Sequence, residues 1–169
     1  EYARARYGCD QFIIDSLMRL GVASDDYNGQ ETAIYRLVDW AVSSNIHVHL
    51  VAHAKKGDRD RGVPETQDVK GAMAIGATAF NILALWRDRK HEDAVQTAEK
   101  DENTTPEAVA KLRERPGVIL NVAKQRNGDF EGKLGLWFDQ ETYQYQDSEF
   151  SPNRRRKYAS LADTMRAAE

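Results

Sequence analysis

Reactive side chains follow apolar runs at three places in this chain. In Phe12-Ile13-Ile14-Asp15-Ser16 a β-type run ends in an acid and a hydroxyl. The run from Ile46 to Ala52 ends at His53, and the run from Val118 to Ala123 leads into Lys124, Gln125 and Arg126. A carboxylate at the carboxyl end of a buried parallel strand sits where open α/β sheets bind ligands. Its charge is costly there unless a cation or a donor meets it. Asp15 is therefore a candidate for holding a nucleotide's magnesium ion, directly or through water. The plainer reading is a strand-end aspartate that caps the next turn. A histidine on the same rim can hydrogen-bond a phosphate or relay its state to a loop, and a basic pair can neutralise developing charge. The plainer reading of Lys124 and Arg126 is a solvated hairpin edge that blunts aggregation.

Other motifs carry less. His47, His49 and His53 alternate along one strand, so they share a face. His47 and His53 would stand about 20 Å apart at roughly 3.3 Å per residue, too far for one ion. They read as half-buried strand residues, not as a zinc site. The segment Gly128-Asp129-Phe130-Glu131-Gly132-Lys133-Leu134 is no phosphate loop, because the glycine spacing is one short and Leu134 stands where Ser or Thr is needed. The loop after His53 carries Lys55, Lys56, Arg59 and Arg61, interrupted by Asp58 and Asp60. Such side chains hold backbone phosphates without reading sequence. No aromatic is interleaved, so base stacking within that loop is not expected.

The elements that must position these groups follow an α/β pattern. Residues 1–10 read as the tail of a helix, and 12–17 as the first strand. Residues 18–30 are polar with Gly21 and Asn28-Gly29, and read as a loop. Ile34, Leu37, Val38, Trp40 and Ala41 recur at helical spacing over 31–44. A second strand spans 46–52. Strand, helix, strand in that order predicts a right-handed crossover and a parallel sheet. After the polar loop 54–69, a small-residue helix is expected over 70–78 and a third strand over 80–86. Residues 88–116 read as a charged, partly mobile insertion with a short helix near Pro106. Strands over 118–123 and 133–138, joined at Asn127-Gly128, predict an antiparallel hairpin, with Tyr143 and Tyr145 extending the edge. The tail, 148–169, is basic at Arg154, Arg155, Arg156 and Lys157.

Composition sets the outer bounds. The 169 residues suffice for one domain with a real core. A formal net charge of −3 announces no overall field for nucleic acid, so any such contact must be local. The single cysteine, Cys9, excludes an intramolecular disulfide and a cysteine metal cluster, and fits a reducing cytoplasm. No apolar run is long enough to cross a membrane. The first residue is Glu1, so the chain is expected to be a piece of something longer.

Taken in order, Phe12-Ile13-Ile14-Asp15-Ser16, then His47 to Lys56, then Asp68-Val69-Lys70-Gly71, then Leu85-Trp86-Arg87-Asp88, then Ala123-Lys124-Gln125-Arg126-Asn127-Gly128 resemble a known pattern. Residues 10–146 are similar to the C-terminal half of the RecA-like motor domain of DnaB-type replicative helicases. The histidine after the second strand resembles the version found in phage primase-helicases and the mitochondrial Twinkle helicase. The resemblance implies a RecA-like P-loop NTPase core over 1–147, mostly parallel with an antiparallel C-terminal hairpin, an insertion at 90–116 and a separate tail at 148–169. It implies ATP and Mg2+ as cofactors. Asp15, with Ser16 beside it, would be the acid that orients magnesium, and His53 the sensor of the γ-phosphate. Lys55, Lys56, Arg59 and Arg61 would touch single-stranded DNA in a central channel. Arg126 would be an arginine finger acting on ATP held by the neighbouring subunit of a hexameric ring, with Lys124 beside it. A primase domain or partner would accompany it, in the cytoplasm of a bacterial or phage-infected cell. The family's phosphate loop and catalytic glutamate precede the first strand, so these residues alone are expected to be inactive. Two other functions fit the same residues: a RecA-like DNA-dependent ATPase that loads or recombines DNA, and a non-catalytic DNA-binding or scaffold module that lost the phosphate site.

Overall fold

The structure, a computed structural model, describes residues 1–23, 25–54, 62–69, 73–139 and 142–147. The fold is α/β. A short helix, α1 (Tyr2–Tyr7), stops at Gly8, whose φ of 67° lies in the left-handed region and whose N–H reaches the Arg4 carbonyl. Strand β1 (Gln11–Asp15) then pairs with β2 (His47–Val51) in parallel, with Asp15 opposite Val51. Between them runs α2 (Tyr27–Ser44). The sequence pattern anticipates this β-α-β unit, but α2 begins a turn earlier than the apolar spacing suggests. Asp26 caps it by accepting the Gly29 N–H at 2.8 Å, which draws Asn28 and Gly29 into the helix. Asn45 closes α2 in the left-handed region at φ 49°.

The parallel pair buries one face. Phe12 packs on Trp40 of α2 with ring centroids 4.8 Å apart. Behind it Leu17, Ile34 and Ile75 form a buried cluster, joined by Leu20, Val38, Leu50, Ala52 and Val69. Each fully buried side chain of this kind contributes about 1.5–3 kcal/mol. The opposite face is bare: Ile13 is 77% exposed.

Helix α3 (Met73–Thr78) precedes β3 (Asn81–Arg87), which begins a second sheet in the order β3-β4-β5-β6. The other strands are β4 (Val118–Gln125), β5 (Gly132–Asp139) and β6 (Gln144–Gln146). The Asp88 N–H bonds the Gly117 carbonyl, and the Arg126 N–H bonds the Phe80 carbonyl. The end of β3 therefore lies beside the start of β4, so that pair is antiparallel. β5 and β6 also pair antiparallel. The mostly parallel sheet expected from sequence is thus corrected: among the described residues only β1 and β2 are parallel, and the larger sheet is an antiparallel meander. Strand patterns fix which segments are extended, not which edges meet.

The chain divides into two compact units: Glu1–Trp86 with Leu120–Lys133, and Arg87–Ile119 with the described part of Leu134–Glu169. In the second, the segment expected to be a partly mobile insertion with a short helix near Pro106 holds that helix, α5 (Pro106–Arg113), and a longer one before it, α4 (Arg89–Lys100). Asp88 caps α4 through the His91 N–H, and Thr105 caps α5 through the Ala108 N–H with Pro106 following it. Ion pairs Arg87–Glu92, Arg115–Asp88 and Arg113–Glu99 tie the hairpin together.

Candidate functional site

Asp15 and His53 stand at the carboxyl end of the parallel pair. The register sets Asp15 level with Val51, and His53 follows two residues later. Both are exposed. Each is held from behind by core contacts: Leu17 and Leu20 beyond Asp15, Leu50 and Ala52 before His53. The Asp15–Ser16 peptide is cis. Ser16 is buried, and its carbonyl accepts the Arg19 N–H at 2.8 Å, starting the turn that carries Leu17. Just after His53, Ala54 bridges Val69 antiparallel and closes the neck of the intervening loop. The expected DNA contacts Lys55, Lys56, Arg59 and Arg61 lie in that loop, outside the described residues.

Lys124 and Arg126 form a separate cluster. Because β4 belongs to the antiparallel sheet, the shared rim of a parallel sheet reaches only Asp15 and His53. Lys124 and Arg126 lie two apart and turn to one side. Lys124 Nζ donates to the carbonyls of Gly76 (2.8 Å) and Ala77 (3.0 Å), and Arg126 Nη2 donates to Ala77 at 2.9 Å. The guanidinium also lies over the Phe80 ring, 5.4 Å from its centroid. Burial, and then the Arg126 charge, hold the Lys124 ammonium below the ordinary lysine range, against the pull of Glu131. Among the described residues no ion pair joins a carboxylate to either cation.

Two further features escaped the sequence. Asn121, buried in β4, donates from Nδ2 to the Pro64 carbonyl at 2.9 Å, and Thr66 donates to the Ala123 carbonyl at 3.3 Å. A buried amide in an apolar strand was the available signal. In the second unit Arg87 lies over Phe138, 5.2 Å from the ring centroid, while its Nε is held by Glu92. Tyr145 and Tyr143 pack on the same ring at 5.2 and 6.1 Å. Tyr143 takes a φ of 55°, unusual for a bulky residue. Tyr145 is tilted against that ring by 48° and Tyr143 meets it at 76°, near edge-to-face, while the Arg87 guanidinium lies over it.

Among the described residues no group of three or more His, Cys, Asp and Glu converges. The His47 and His49 rings lie 4.3 Å apart, tilted by 54°, and both are exposed, not half-buried as expected. They occupy the uncovered face of the parallel pair. Asp15 offers one carboxylate, which suits magnesium completed by phosphate and water and does not suit zinc. No helix of the described residues is long and apolar enough to cross a membrane.

No protein-family model matches this chain, and no curated protein matches it.

Proposed function

We propose that this chain is the C-terminal part of a RecA-like motor in a ring-forming DNA helicase that couples ATP hydrolysis to movement along single-stranded DNA. The observation that carries this reading is the register of β1 and β2, with Asp15 and His53 on one margin of a parallel pair. Ligands gather at such margins in α/β folds. On this reading Asp15 orients Mg2+, and Ser16 lies beside it. Bound magnesium supplies charge neutralisation at the terminal phosphates. His53 senses the γ-phosphate and passes its state to the loop that starts behind it. Lys55, Lys56, Arg59 and Arg61 of that loop grip the DNA backbone. Lys124 and Arg126 reach the nucleotide of an adjoining subunit in a hexamer. A motor of this kind also needs a phosphate loop, which these 169 residues do not contain and which on this reading another segment supplies.

Subunit mixing tests the trans-acting arginine. In the complete protein, Asp15→Ala and Arg126→Ala should each lower DNA-stimulated ATP hydrolysis, the latter by about 10³-fold, with nucleotide binding kept in Arg126→Ala. Mixing the two inactive variants in one ring should restore part of the rate, because some interfaces then carry both intact groups. No recovery on mixing, with nucleotide binding lost in Arg126→Ala, would rule out action across an interface. A protein that neither binds ATP nor assembles would instead favour the non-catalytic scaffold.

A further inference from the structure

We propose that Lys124 and Arg126 are a two-position clamp, parked on the carboxyl end of α3 until a phosphate group draws them off, and that the exchange loosens α3 together with the 64–69 segment before it. This rests on the reading of the basic pair as phosphate-facing. The parked position is defined by three hydrogen bonds from the two side chains to the Gly76 and Ala77 carbonyls. Those carbonyls belong to the last turn of a six-residue helix. A helix that short is marginal by itself, so what meets its unsatisfied carbonyls decides whether it persists.

The same strand holds the preceding segment. Asn121 bonds the Pro64 carbonyl and Thr66 bonds the Ala123 carbonyl. A Cβ added at Gly76 would stand 3.1 Å from Thr66 Cγ2, so α3 packs closely on this segment. Val69 in turn bridges Ala54. The helix, the segment and the loop neck are therefore linked in series, and β4 grips both the helix and the segment.

The parked position is also one that an anion can win. Both cations rest on neutral carbonyls. The nearby acid, Glu131, accepts the Gln125 N–H at 3.1 Å. Hydrogen bonds from cations to phosphate are shorter and stronger than those to carbonyls. Phe80 keeps the guanidinium oriented beside its ring while the partner changes. A phosphate group from a nucleotide would so be reported to the loop neck through α3, by a route separate from His53.

The test uses the full chain with inorganic pyrophosphate as the probe and matched chloride as the control. NMR follows the Lys124 and Arg126 side-chain signals, and hydrogen exchange follows the Thr78 and Ala79 amides. Pyrophosphate should shift both side chains and speed exchange at Thr78 and Ala79 by about tenfold, as expected for losing hydrogen bonds to charged groups. The double variant Lys124→Met with Arg126→Met should exchange fast without the anion and respond no further. Side-chain shifts with unchanged exchange in the wild type would overturn the clamp and leave the phosphate-facing reading intact. Silence at both side chains would overturn the clamp and the phosphate-facing reading together.

Discussion

Single side chains in this protein differ sharply in what they can do where they stand. Lys124 and Arg126 look from the sequence like exposed cations on a hairpin edge, yet they are occupied by the Gly76 and Ala77 carbonyls. That contact joins positions nearly fifty residues apart, and no local pattern announces it. Asn121 is the counterpart inside the sheet. It stands between Leu120 and Val122 in the apolar run from Val118 to Ala123, and it is only 6% exposed. Its amide is satisfied by the Pro64 carbonyl. Asn121→Ala would leave that carbonyl short of a donor, at a cost of about 1–3 kcal/mol. Chemical denaturation should show this as a lower midpoint at constant slope. A loss below about 0.5 kcal/mol would mean that water replaces the amide and that the 64–69 segment is not held from β4. Asp15 and His53 need no such support from polar partners. Their placement follows from β1 and β2 being parallel and in register, which the continuous β-branched runs already suggest.

At the scale of elements, what could be read from the sequence was what local chemistry decides. The strands lie within a few residues of their expected positions, and the turn at Asn127-Gly128 joins neighbours in the sheet. The start of α2 was hidden because Tyr27-Asn28-Gly29 are poor helix formers, and one carboxylate, Asp26, overrides them. Helix α4 was hidden by its charge, although Asp88 stood as a cap at its start, whereas α5 was legible from Pro106 behind the Thr105 cap. The antiparallel β3–β4 pairing depends on contacts across the whole hairpin and had no local sign. The turn between α4 and α5 gives a sharp test. Asp101 accepts the Asn103 N–H and the Thr104 hydroxyl, both at 3.0 Å. These bonds, the Asn103 backbone first, hold its carboxyl below the ordinary value of 3.8. A depressed carboxylate adds stability that is complete above its unfolded pKa and disappears as pH falls through the folded one. The hairpin should therefore keep full stability down to about pH 4 and weaken below it. Asp101→Asn should flatten that acid-side loss. NMR titration checks the cause directly: an Asp101 midpoint at or above 3.8 would remove this contribution.

Across the whole molecule, β1, β2 and β3 alternate between exposed and half-buried residues and so cover one face only, whereas β4 buries residues on both faces. The parallel pair covers its α2 face and leaves the other open, with Ile13 77% and Val51 39% exposed. In β3, Leu83 is 64% and Leu85 48% exposed. Parallel sheets are normally covered on both faces, so apolar side chains at this level of exposure are a source of self-association. Electrostatics opposes it weakly. The formal charge is only −3 and the isoelectric point about 5.9. Repulsion between copies therefore fades as pH falls from 8 toward 5.9, while the apolar attraction is unchanged. Static light scattering of the purified chain should rise along that path. Ile13→Thr combined with Leu83→Thr should suppress the rise. Threonine keeps the β-branch that a strand favours, and an exposed side chain has little burial to lose, so the unfolding midpoint should move by no more than about 0.5 kcal/mol equivalents. Scattering that persists in the double variant would shift responsibility to other exposed groups. A large fall in its stability would show that these side chains are covered in solution, by a second copy or by another layer, and that the bare face is not how the protein exists.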